Sequence, residues 1–233
     1  MASMRTLIPI DYPTTDGQPM AETPLHMRIM WDLIQTLIAW FASDSMVYIW
    51  GNMFLYYEQG DASKNVSPDV MVIKGVPKDK FRDTFKVWEE GGKTPNAIIE
   101  VSSKGTSEND QVDIFFLYQD VLHVEEYFLF DPRAEYLKPP LKGFRLVKGK
   151  YQPIKALAGR LPSKVLGLHL ERSGQELRLY DAKIDSWLPT PDEARARAQS
   201  DLTEAAEART RAEGEVARLR RELESLRRQQ KKS

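Results

Sequence analysis

Two acidic residues stand where an ionised side chain is costly. Asp69 follows Pro68 and opens the apolar run Val70-Met71-Val72-Ile73, and Glu100 closes Ala97-Ile98-Ile99 just before Val101. A carboxylate in such a setting raises the free energy of the fold unless a partner compensates it. A hard divalent cation held between carboxylates from adjacent strands would do so, and would bring a Lewis acid and an activated water. The structural alternative is that each acid sits at a strand mouth in water or pairs with a lysine. Perturbed acids mark candidates for function without proving it.

The elements that must position these acids can be read from apolar spacing. Leu25, Ile29, Leu33, Leu37 and Trp40 recur at helical intervals and predict an amphipathic first helix. Met46–Ile49, Met53–Tyr57 and Asp69–Ile73 are short apolar or aromatic runs, broken by Gly51-Asn52 and by a polar stretch from Glu58 to Ser67. They predict three strands. Asn96–Val101 shows little alternation and predicts a central strand. A helix over about Asp110–Asp120 and a strand over Glu126–Phe130 follow, with short strands around Gly143–Leu146 and Leu177–Leu179 completing the sheet. This order predicts an α/β fold, a mixed sheet with helices on its faces.

The composition changes at Pro189. All five Trp, nine Tyr and nine Phe precede it, and the remainder is rich in Ala, Glu, Arg and Leu. Thr190-Pro191-Asp192-Glu193 reads as a capped helix start. Placing Val216 at heptad position a puts Leu202, Arg209 and Leu223 at a as well, with Ala198, Ala205, Ala212, Leu219 and Leu226 at d. Two domains are expected, residues 1–190 and a C-terminal helical tail over 191–233. The tail is either a solvated single helix or a coiled coil that makes a homodimer.

Composition also excludes several classes. The 233 residues hold no cysteine, which rules out a disulfide framework, a thiolate zinc site and a cysteine nucleophile, and favours the cytoplasm. The formal charge of -1 excludes a global basic field of the kind that non-specific duplex binders carry, while permitting a local groove. The tail carries +2 and the body -3, so the average hides little charge segregation. The longest apolar stretch, Ile34–Ala42, is far shorter than the roughly 20 residues of a membrane span.

Weaker candidates follow from single residues. His26 lies near the apolar stripe of the first helix, where a packed histidine is the ordinary outcome; His123 and His169 are isolated and lack zinc spacing. Between the acids, Lys74, Lys78, Lys80, Arg82, Lys86 and Lys93 outnumber Asp79, Asp83, Glu89 and Glu90 by two. With Phe81, Phe85 and Trp88 they could line a nucleic-acid groove. A solvated mixed-charge loop is the simpler account, because backbone binding gains from several unopposed cations.

Several segments together carry a resemblance. Ser67-Pro68-Asp69-Val70, Ile98-Ile99-Glu100-Val101-Ser102-Ser103-Lys104, Tyr118 in a following helix, and Glu126-Tyr127-Phe128-Leu129-Phe130-Asp131-Pro132 occur in the order and spacing of the bacterial Uma-type restriction endonuclease family. Tyr56-Tyr57-Glu58-Gln59-Gly60 and the segments around Leu161–Leu170 and Leu177–Asp181 resemble it too. That family belongs to the PD-(D/E)XK nuclease superfamily, so the resemblance, over about residues 5–190, implies a restriction-endonuclease-like mixed β-sheet core flanked by helices. It implies DNA as the partner and Mg²⁺ as the cofactor, with Asp69 and Glu100 holding the ion and Glu58 or Glu22 as a further acid. The superfamily lysine two residues beyond Glu100 is replaced by Ser102. Where many Uma-type chains carry a lysine four residues before the helix tyrosine, this chain has Ile114. Neither can offset the charge that develops on a phosphoryl transition state, which leaves Lys104 as the nearby cation. Two expectations follow: a Mg²⁺-dependent DNA endonuclease, or a nuclease-fold scaffold that has lost its lysine and binds DNA or protein without turnover.

Overall fold

The computed structural model describes residues 10–15, 23–102 and 108–230. The chain divides into two compact units, Met1–Leu188 and Pro189–Ser233. In the first, α1 (Pro24–Trp40) precedes β1 (Val47–Trp50), β2 (Leu55–Tyr56), β3 (Asn65–Val66), β4 (Val70–Lys74) and β5 (Phe85–Lys86). After a 3-10 turn come β6 (Ala97–Val101) and α2 (Glu108–Phe116), which runs into a π-helical turn at Leu117–Val121. Then follow β7 (Glu126–Phe130), β8 (Leu141–Val147), β9 (Lys150–Pro153), β10 (Leu161–Pro162), β11 (His169–Ser173), β12 (Glu176–Asp181) and β13 (Ser186–Trp187). The second unit is α3 (Pro191–Gln230). Among the described residues, no helix is long and apolar enough to cross a membrane.

The main sheet has the order β1-β4-β6-β7-β8-β9. Only β6 and β7 run parallel in it, because α2 crosses between them; every other neighbour is antiparallel. The predicted central position of Ala97–Val101 follows from its apolar content, since both flanks and both faces are covered. Alternation divides the sheet between two cores. Val70, Val72, Ala97, Ile99, Val101, Phe128 and Phe130 point towards α1 and the four-stranded sheet β10-β11-β12-β13. Met71, Ile73, Ile98 and Tyr127 point the other way, towards Tyr118, Leu122 and Val124, and towards Leu55 and Phe85 of the small sheet β3-β2-β5.

Two expected strands belong elsewhere than in the main sheet. The Met53–Tyr57 run is strand only at Leu55–Tyr56, and it pairs with β3 and β5. The reason lies in the turn before it: Asn52 has φ 50 and donates its N–H to Pro68 O at 2.8 Å, which carries the chain off the sheet edge. Leu177–Leu179 lies in β12 of the four-stranded sheet, whose apolar face packs with α1 rather than extending the main sheet.

A buried ion pair joins the body's two larger sheets. Glu126, 1% exposed, accepts from Arg145 Nε at 2.7 Å, Lys164 N at 2.9 Å, Val165 N at 3.2 Å and the Ser163 hydroxyl. Both oxygens are satisfied, which a buried carboxylate requires. This acid of the Glu126-Tyr127-Phe128 motif therefore serves the framework.

Candidate active site

Asp69 immediately precedes β4, and Glu100 is the penultimate residue of β6. Those strands pair antiparallel with Val70 opposite Ile99, so the same register sets Asp69 opposite Glu100. The Asp69 N–H donates to Glu100 Oε2 at 3.2 Å, and Val101 N–H donates to Asp69 Oδ2 at 2.7 Å. The two carboxyl groups thus hold each other's strands. Gly51 lets the turn after β1 lie against the Asp69 backbone: a Cβ there would lie 1.8 Å from the Asp69 carbonyl oxygen.

Like charges directly across a ladder repel. Burial pushes the Glu100 carboxyl well above the ordinary range, and the neighbouring Asp69 charge pushes it further in the same direction, against the hydrogen bond from Tyr118. Tyr118 Oη donates to Glu100 Oε1 at 2.6 Å. Burial, and then Glu100 itself, raise the Tyr118 phenol well above its usual value, so it remains a donor. Tyr118 sits in the π turn, a local widening of the helix that often accompanies function.

The fourth member comes from α1. His26 is 6% exposed, and its Nε2 donates to Asp69 Oδ1 at 2.9 Å. Thr23 caps that helix by accepting from His26 N, with Pro24 in the first turn, which sets the entry angle of the imidazole. The described residues therefore form a chain His26–Asp69–Glu100–Tyr118. Its donor set, two carboxylates with oxygen lone pairs to spare, suits a hard cation that keeps several of its waters.

The Uma2 family model, described as "Putative restriction endonuclease", matches residues 9–179, which include all four of these side chains. The chain belongs to the Uma2 family. No curated relative matches it. A solved structure described as "a putative nuclease belonging to DUF820", from Anabaena variabilis, is similar at 14% identity and a TM-score of 0.47, covering 68% of this chain and 85% of that one.

Other residues singled out in this Uma2 chain fall as follows. Glu58 is exposed beyond the end of β2, in the small sheet, and among the described residues no group of three metal-ligating side chains forms. Glu22 and Lys104 lie outside the described residues. Ile114 packs against the second core beside Phe115 and Leu117. Ser102 follows β6 and lines a small cleft of about 40 Å³ with Thr23, Leu25, His26, Pro132, Arg133 and Tyr136. Arg133 is thus a cation on the wall that His26 and Ser102 share. Its loop is held by Asp131, whose carboxyl accepts from Arg133 N at 3.0 Å, Tyr136 N at 2.6 Å and Leu137 N at 2.9 Å. Burial pushes the Asp131 carboxyl up, but the backbone donors of Leu137, Tyr136, Arg133 and Ala134 outweigh it and hold it below the ordinary range.

A larger cleft, about 360 Å³, runs between the end of α1, β1 and residues 78–82 and contains neither acid. Its cations are engaged within the protein. Lys80 and the buried Arg82 both bind Glu90, and Lys78 Nζ donates to Ala42 O. Phe85 is fully buried, whereas Phe81 is 86% exposed. The basic excess between the acids is therefore mostly spent on internal partners.

His26 and Tyr118 are the site members that residue spacing underrated. The signal for His26 was its position three residues before Ile29 and seven before Leu33, on the buried face of α1. For Tyr118 it was a phenol embedded in an apolar helix facing a strand that ends in an acid.

Proposed function

We propose that this Uma2 protein is a Mg²⁺-dependent DNA endonuclease. The observation that carries the reading is the cross-strand pair Asp69 and Glu100, two carboxyl groups each held by the backbone N–H of the other's strand, with burial and the Asp69 charge raising the proton affinity of Glu100. These residues would hold Mg²⁺, which when bound supplies Lewis-acid polarisation and a water of lowered pKa. His26 holds Asp69 Oδ1 and Tyr118 holds Glu100 Oε1, fixing the orientation of both carboxylates. Arg133, on the neighbouring cleft wall, and Lys104 are the cations we assign to the DNA phosphate, in place of the lysine that Ser102 replaces. Glu58 remains the sequence-derived candidate for a further acid.

The experiment is nicking of supercoiled plasmid by the purified full chain with Mg²⁺ or with chelator, for the native protein and for Asp69→Asn. Mg²⁺-dependent nicking that falls at least about a hundredfold in the variant is the expected result. Binding of Mg²⁺ with no hydrolysis of supercoiled, linear or single-stranded DNA overturns it.

A second reading has its own support. Ser102 stands where the superfamily lysine would be, and Ile114 is committed to an apolar core. On this reading the chain is a catalytically impaired scaffold that binds DNA or protein. Ser102→Lys separates the two: turnover that appears only in that variant favours the scaffold, and turnover already substantial in the native chain removes it.

A further inference from the structure

The α3 helix spans 40 residues, about 60 Å. It opens with a reciprocal cap in which Thr190 N donates to Glu193 Oε2 at 2.9 Å and Glu193 N to Thr190 Oγ1 at 3.3 Å. Its surface is polar except along one stripe. There Leu202, Val216, Leu219 and Leu223 are 66%, 47%, 51% and 50% exposed. All four fall at a or d of a single heptad register, joined by Ala205 and Ala212. A lone helix recovers nothing from leucines held in water, and four heptads of this pattern are the ordinary seam of a coiled coil.

The charges beside the seam name the occupant. In this register the g positions are Asp201, Ala208, Glu215 and Glu222, and the e positions are Ala206, Glu213, Arg220 and Arg227. In a parallel pair each g residue faces the e residue of the next heptad on the other helix. Glu215 then meets the partner's Arg220, and Glu222 the partner's Arg227, twice each by symmetry. An antiparallel pair sets g against g, and the g set holds no cation, so its acids meet acids or alanine. Arg209 at a adds specificity: its Nε donates to Glu213 Oε1 of the same helix at 2.8 Å, which leaves the aliphatic stem to the seam while the charge reaches water.

We infer that α3 pairs in parallel with α3 of a second copy of this chain, with Val216, Leu219 and Leu223 as the stable end and the alanine-rich first heptads as the weaker one. Because each body joins the N-terminal end of its own helix at Pro189, a parallel coil attaches both bodies at the same end of the rod. An antiparallel coil would attach them at opposite ends of a rod of about 60 Å. This inference is independent of the chemistry at Asp69 and Glu100.

Sedimentation equilibrium of the full chain tests it. The native protein should have twice the chain mass, and the double reversal E215R/E222R, at exposed positions, should raise the dimer dissociation constant about tenfold or more. Mixing that variant with R220E/R227E should restore a dimer containing one of each. Since the chain holds no cysteine, Leu223→Cys supplies the only thiol. It should form a disulfide-linked dimer under mild oxidation, whereas in an antiparallel pair the two thiols would be about 30 Å apart. A native monomer, a dimer indifferent to the reversal, or a dimer in which Leu223→Cys does not cross-link overturns the inference.

Discussion

Asp69 and Glu100 each depend on a partner that lies far away in the chain. Burial and the Asp69 charge raise the proton affinity of Glu100, while the Tyr118 hydroxyl pulls in the opposite direction by donating to the ionised form. Removing that hydroxyl isolates the two effects. Tyr118→Phe should leave a buried carboxyl oxygen unpartnered, at a cost of about 1–3 kcal/mol in urea unfolding without metal. It should also raise the proton affinity of Glu100 further and so weaken Mg²⁺ binding at neutral pH, as isothermal titration would register. An unchanged urea midpoint together with unchanged Mg²⁺ affinity would remove the role assigned to Tyr118. The acids were legible because a carboxylate among β-branched residues is anomalous in any context. His26 was not, because a histidine on an apolar stripe looks the same whether it packs against carbon or donates to an acid.

The same distinction holds for the strands. Those of the core were readable from composition: Ala97–Val101 and Glu126–Phe130 carry apolar residues on both faces, and the structure places both inside the main sheet. Strands β9, β11 and β13 carry charged or polar residues on exposed faces and gave no comparable pattern. The turn after β1 matters more than its length suggests. Gly51 lets that turn press against the carbonyl of Asp69, and a methyl group there would overlap backbone that cannot move without moving β4. Gly51→Ala is expected to destabilise the fold by about 1–3 kcal/mol and to reduce Mg²⁺-dependent nicking beyond what the loss of folded protein explains. Thermal unfolding and activity normalised to folded protein check the two parts separately. Full activity with native stability would show that Asp69 is not held from this side.

The intact chain responds to pH through Glu100. Glu100 has a raised folded value, so the folded protein keeps a proton that the unfolded chain releases near 4.5. That contribution to stability is complete below 4.5 and declines as pH rises towards the folded value. An ion held by the same carboxylates displaces the proton, so its affinity must grow with pH. The rise in melting temperature caused by a fixed, subsaturating Mg²⁺ concentration should therefore be larger at about pH 8 than at about pH 6, by a few degrees. A rise that is the same at both values, or absent, would count against Asp69 and Glu100 as the ion's seat. Asp131 works with the opposite sign: its lowered value stabilises the loop of Arg133 above pH 3.8 and is lost below it.

What could be read without coordinates was whatever a local rule controls: the period of α1, the apolar strands, the capped start of α3 with its heptads, and two acids out of place. Each depends on neighbours within a few residues, where spacing and composition suffice. What required the folded chain was which strand lies beside which, and therefore which side chains meet. Asp69 faces Glu100 across 31 positions of sequence and meets His26 across 43, distances over which no periodicity carries information. Pairing register and the helix crossing over the sheet decide those meetings, because a shift of one residue turns a side chain to the opposite face.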